Sequence, residues 1–127
     1  MGIQQSVEFE AGQVPEWAKV RDFLTDRGLP TQMRMINDQL AFPAETPPDD
    51  WQEIRIGTPQ GMVTVRRDRS RLTFITWSNA DQPMIQAWNA LAWAFAAAGS
   101  GTVLLPDGPV TAEEFEKSAE LPETMRT

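Results

Sequence analysis

Arg66-Arg67-Asp68-Arg69-Ser70-Arg71 packs four of the chain's eleven basic residues into six positions. A guanidinium offers a planar fork of donors that matches carboxylate and phosphate oxygens. With Arg55 upstream, the segment is the one motif in the chain that could recognise an anion, and Arg55, Arg66, Arg69 and Arg71 are its candidate contacts. Covalent and acid–base chemistry have far less to draw on, because the 127 residues include no histidine, no cysteine and no tyrosine. Proton transfer near neutrality would fall to carboxylates or to a lysine of strongly shifted pKa. There is no thiolate nucleophile, and zinc lacks both of its preferred ligand types. No cofactor and no metal site are expected, and a non-enzymatic role is favoured.

Two weaker patterns resolve into structure. Glu45, Asp49, Asp50 and Glu53 could in principle form an acid–base pair or an oxygen-ligand metal site. Their spacing fits neither an EF-hand loop nor another tight cation motif, so a solvated acidic loop is the expectation. Gly99-Ser100-Gly101 suggests a phosphate cradle, but such loops precede a helix, and these glycines follow one. A helix C-cap accounts for them.

The elements that must position these residues are legible from periodicity. Trp51 to Thr58, Gly61 to Arg67 and Arg71 to Trp77 read as three antiparallel strands of a meander. With short symmetric turns, Ile54, Ile56, Val63, Val65, Leu72 and Phe74 share an apolar face, Val65 opposing Leu72 and Val63 opposing Phe74. Arg66 then faces Arg71, which calls for a compensating anion, either Glu53 from within or an external ligand. The other face is mostly polar. A slip of one residue would exchange the two faces, which is why the pattern constrains the pairing.

Asp81 to Ala98 is the strongest helix, with Asp81 as N-cap, Pro83 in the first turn and Gly99 past the end. Met84, Trp88, Leu91 and Phe95 fall on one stripe that should cover the apolar sheet face. Trp93 points almost opposite Phe95, an outward tryptophan and hence a candidate interface residue. Met62, Ile75 and Trp77, at one end of the outer sheet face, are the others. A second helix spans the run from Pro15 to Gly28, and Thr111 with Glu114 forms a capping box that starts a short acidic C-terminal helix. Short strands are expected at Ser6 to Glu10, Thr31 to Ile36, Gln39 to Phe42 and Thr102 to Leu105, a surface loop at Pro43 to Asp50, and a turn at Pro106 to Pro109.

Together these give one α+β domain over residues 1–127, a two-layer sandwich. It has a mainly antiparallel sheet of about five or six strands with two principal helices on one face. Eighteen acidic residues against eleven basic give a net charge of −7, which disfavours nucleic acid and anionic membrane. Met1 to Ser6 fits the loose N-myristoylation template with Gly2 as acceptor, but the next charges are Glu8 and Glu10 rather than a basic patch, and the match is taken as coincidental. With no cysteine, no signal-peptide pattern and no long apolar run, the expected compartment is the cytoplasm.

Charge is unevenly placed: Arg55 to Arg71 holds five basic residues against one acidic, and Asp107 to Arg126 six acidic against two basic. The two blocks could meet within one chain or between copies. The expected function is a small acidic protein–protein interaction domain, a homodimer using Trp93 or the Met62, Ile75 and Trp77 end of the sheet. In size and charge alone it is similar to small acidic secretion chaperones and immunity-type proteins, with no shared motif. The alternative is a binding domain for a small anionic or phosphorylated ligand at the arginine hairpin.

Overall fold

The computed structural model describes residues 2–125 and shows an α+β fold with one antiparallel sheet and three helices. The sheet has eight strands rather than five or six: β1 (Gly2–Glu8), β2 (Gln32–Ile36), β3 (Gln39–Leu40), β4 (Glu53–Thr58), β5 (Gly61–Asp68), β6 (Arg71–Trp77), β7 (Thr102–Leu105) and β8 (Gly108–Thr111). Their order across the sheet is β3-β2-β4-β5-β6-β1-β7-β8. The added edge strand, β8, lies partly where a turn was expected at Pro106 to Pro109. Pro109 sits opposite Leu104, a place open to proline because an edge strand has one side free of the ladder.

The central meander forms because apolar residues alternate along it, and burying them on one side fixes which face each strand presents. Ile54 pairs with Val65 and Ile56 with Val63, as expected. The β5–β6 pairing differs by two residues, with Val65 opposite Phe74 and Asp68 opposite Arg71. The cause is a two-residue turn, Arg69-Ser70, in which Arg69 adopts a left-handed φ of 59°. An even shift keeps every side chain on its face, so Leu72 and Phe74 remain fully buried.

Helix α2 (Gln82–Gly99) covers the apolar face. The Asp81 side chain accepts the Met84 N–H, and Ser100 closes the helix in a left-handed conformation. Phe95 packs edge-on against Phe74 at 5.4 Å, and the Trp88 indole N–H donates to the Phe74 carbonyl at 2.9 Å. Asn89, in the same helix and buried, accepts a bond from Gln5 of β1 and donates to the Glu120 carbonyl, so it ties the sheet to the chain beyond the last helix. Helix α1 (Trp17–Asp26) lies against α2, with Trp17 stacked on Phe95. Helix α3 (Ala112–Ser118) begins with the expected capping box and lodges Phe115 in the core beside β7 and β8.

Trp93 is the main correction. Expected on the outward side of α2, it is only 5% exposed, because α1 crosses above it and lays Phe23 against its ring. A side chain covered in this way offers no surface to a partner.

Candidate functional site

All three helices occupy one side of the sheet, so among the described residues the other face is left to solvent. Antiparallel pairing sets its side chains in rows. One row runs Leu40, Met35, Arg55, Thr64, Ile75 and Gln4 across β3, β2, β4, β5, β6 and β1. The next runs Glu53, Arg66, Thr73, Ser6 and Leu104.

The arginine hairpin is largely neutralised from within. Arg66 donates to Glu53 at 2.8 Å, and Arg71 donates twice to Glu8 across the β1–β6 pair, at 2.6 and 3.1 Å. Arg66 faces Thr73 and Arg71 faces Asp68, which removes the arginine pair that would have called for an external anion. Arg55 approaches the second Glu53 oxygen at 3.8 Å, while its buried Nε has no partner among the described residues. Arg67, on the helix side of the sheet, donates to the carbonyls of Asp49 and Arg69 and lies over the Trp51 ring. Of the four candidate anion contacts, only Arg69 has a side chain with no polar partner among the described residues. The expected complement, the acidic C-terminal segment, supplies none of these ion pairs; Lys117 of α3 pairs within its own helix with Glu113.

A groove of about 570 Å³ opens beside the β4–β5 hairpin, lined among others by Gln32, Arg34, Gly57, Gly61, Met62 and Trp77. Two glycines set its walls. A Cβ on Gly57 would lie 3.2 Å from the aliphatic stem of Arg34, and one on Gly61 would lie 2.8 Å from the Trp77 ring. Arg34 reaches Gly57 because β2 carries a bulge between Met33 and Met35, a device that re-aims a side chain. Its guanidinium has only the Gln32 side-chain oxygen, at a marginal 3.5 Å, and no carboxylate among the described residues.

The structure thus brings Met62 and Trp77 together, with Ile75 two residues back along β6 on the same face, and separates Trp93 from them. It adds residues that periodicity alone did not single out. Leu40 and Phe42 are 88% and 79% exposed, and with Trp77 at 43% they are the exposed large hydrophobics of the described residues. Gln39 to Phe42 reads as a short strand, but β3 is a two-residue edge with no strand beyond it among the described residues. The Asn37-Asp38 pair, both left-handed at φ 49° and 66°, forms the tight hairpin that projects this edge.

Among the described residues no group of three or more acidic side chains could hold a metal ion, and no helix is long and apolar enough to cross a membrane. Gly2, the acceptor in the myristoylation template, begins β1 opposite Trp77, while Met1 lies outside the described residues. Comparison with family models, curated proteins and solved structures finds no match for this chain.

Proposed function

We propose that this protein is a non-enzymatic protein–protein interaction domain that acts as a homodimer through the open face of its sheet, on the half running from β3 to β6. The observation that supports the reading best is where its exposed apolar mass lies. Leu40, Phe42 and Trp77 occur on this half, with Met62 on the intervening strand β5 and Ile75 beside Trp77 on β6. Large exposed apolar side chains gathered on one side of a small domain mark interaction sites, and aromatic residues favour the centres of such sites.

The scale is reasonable. A stable interface covers about 800 Å² per partner, roughly a tenth of the chain's 7276 Å² of accessible surface. The internal ion pairs of Glu53 and Glu8 also let Arg66 and Arg71 be covered without leaving either charge unpaired, which would be costly.

The test is solution mass by light scattering over a range of concentrations, for the wild type and Trp77→Ala. A dimer that Trp77→Ala converts into a monomer of unchanged circular dichroism is expected. A wild type that stays monomeric throughout overturns the proposal.

A further inference from the structure

We propose that the Trp77 groove receives the Leu40–Phe42 edge of a second copy of this chain, and that the exchange is reciprocal. The inference rests on the homodimer reading above and specifies which surfaces meet. Its starting point is adjacency. Gln32 pairs with Gly57 in the groove lining, while two backbone hydrogen bonds join β2 to the segment after β3: the Arg34 carbonyl accepts the Ala41 N–H and the Pro43 carbonyl accepts the Met33 N–H. Phe42 therefore stands level with the groove, three strands from Met62, or about 14 Å at the usual strand spacing.

Two neighbouring patches on one surface, one projecting and one recessed, suit a two-fold axis between them. Each copy's projection then meets the other's recess, and the contact closes at two subunits instead of propagating. The recess is large enough for an aromatic side chain, and its Trp77 ring and Met62 thioether are favourable neighbours for one.

Charge selects the same pairing. Arg34 borders the groove without a carboxylate partner among the described residues. The projecting segment is acidic: the Glu45 carboxylate accepts the Phe42 N–H at 3.1 Å, and Asp49 and Asp50 follow on the same loop. Docking the Phe42 edge on a second copy brings Glu45 to that copy's Arg34, so each apolar insertion carries its own counter-charge. Packing groove against groove would instead oppose two arginines.

The absence of cysteine from the chain makes engineered thiols an unambiguous reporter. Ala44→Cys places one just beyond Phe42 and Gln60→Cys places one in the turn between Pro59 and Gly61, which both line the groove; both positions are exposed and leave the apolar contacts intact. The two variants, one carrying a mass tag, are mixed, allowed to exchange and oxidised. The mixed disulfide between Cys at 44 and Cys at 60 is expected in clear excess over its random share. A dimer by light scattering that yields only like-to-like or random cross-links overturns the reciprocal docking and leaves the homodimer standing. A monomer by mass overturns both. In parallel, Arg34→Glu and Glu45→Arg should each weaken dimerisation at least tenfold and the double variant should recover most of the loss; failure of that recovery also overturns the pairing.

Discussion

Phe23 meets Trp93 edge to face, with ring centroids 5.0 Å apart and planes inclined at 75°, and the Arg27 guanidinium lies 3.6 Å from the Phe23 ring centre and 5.7 Å from that of Trp93. The contact joins α1 to α2 and makes Trp93 part of the interior. Trp93→Ala should therefore cost stability, about 3–5 kcal/mol as for other large aromatic truncations in cores. Denaturant unfolding checks this, and the folded fraction of the variant should associate as the wild type does. A stable variant with altered association would contradict the burial of Trp93.

Gly61 holds Trp77 in place. A methyl there would approach the Trp77 ring at 2.8 Å and the Met84 sulfur at 2.7 Å, on a backbone whose φ of +147° L side chains rarely adopt. Gly61→Ala should lower the melting temperature by several degrees, on the order of 1–3 kcal/mol for strain plus overpacking. It should also shift tryptophan emission, because the most exposed indole among the five moves.

The arginine hairpin should tolerate loss of charge. Arg66 and Arg71 are 64% and 53% exposed along their side chains and pair with carboxylates at the surface. Pairs of this kind are worth about 0–1 kcal/mol. Arg66→Ala combined with Arg71→Ala should thus change unfolding free energy little. Retention of inorganic phosphate, measured by calorimetry with wild type and double variant, should be equally weak for both.

Acid should loosen α3 first. Thr111 holds the Glu114 carboxyl below the usual carboxylate range, through its backbone N–H first and its side chain second, and Lys117 adds to the effect. Because the folded value is the lower one, the cap's contribution is present above the unfolded value of 4.5 and is lost as pH falls through the folded value. Amide exchange in α3 should speed up over that window. Glu114→Gln, which keeps the capping geometry without a titrating group, should remove the pH dependence.

Asn89 should prove intolerant of an apolar replacement. It satisfies Gln5 at 3.0 Å and the Glu120 carbonyl at 2.9 Å from a site only 8% exposed. Asn89→Leu leaves both groups unpaired, at about 1–3 kcal/mol. The loss should appear in thermal unfolding and in faster exchange around Leu121.

What the sequence reveals here follows the range of the forces involved. The faces of β4, β5 and β6, the Asp81 cap and the Thr111–Glu114 box are local patterns, and each is present in the structure where its residues predict it. The β5–β6 register hinged on whether Asp68 belongs to the strand or the turn, which Arg69's backbone decides and composition does not. The burial of Trp93 depends on where a helix some seventy residues earlier comes to rest. The groove was half visible: Met62 and Trp77 stood out as apolar residues on a polar face, whereas Arg34 reaches it through a bulge that leaves no mark in the residue pattern.

An open eight-stranded sheet carries two unpaired rims, and each is a standing invitation to add another strand. At one rim Pro109 has no N–H to give, and at the other β3 is only two residues long. Neither rim can template a long ladder, so this fold resists fibrous growth by its geometry. The molecule can keep greasy side chains on its surface with little risk that copies will zip into an endless ribbon.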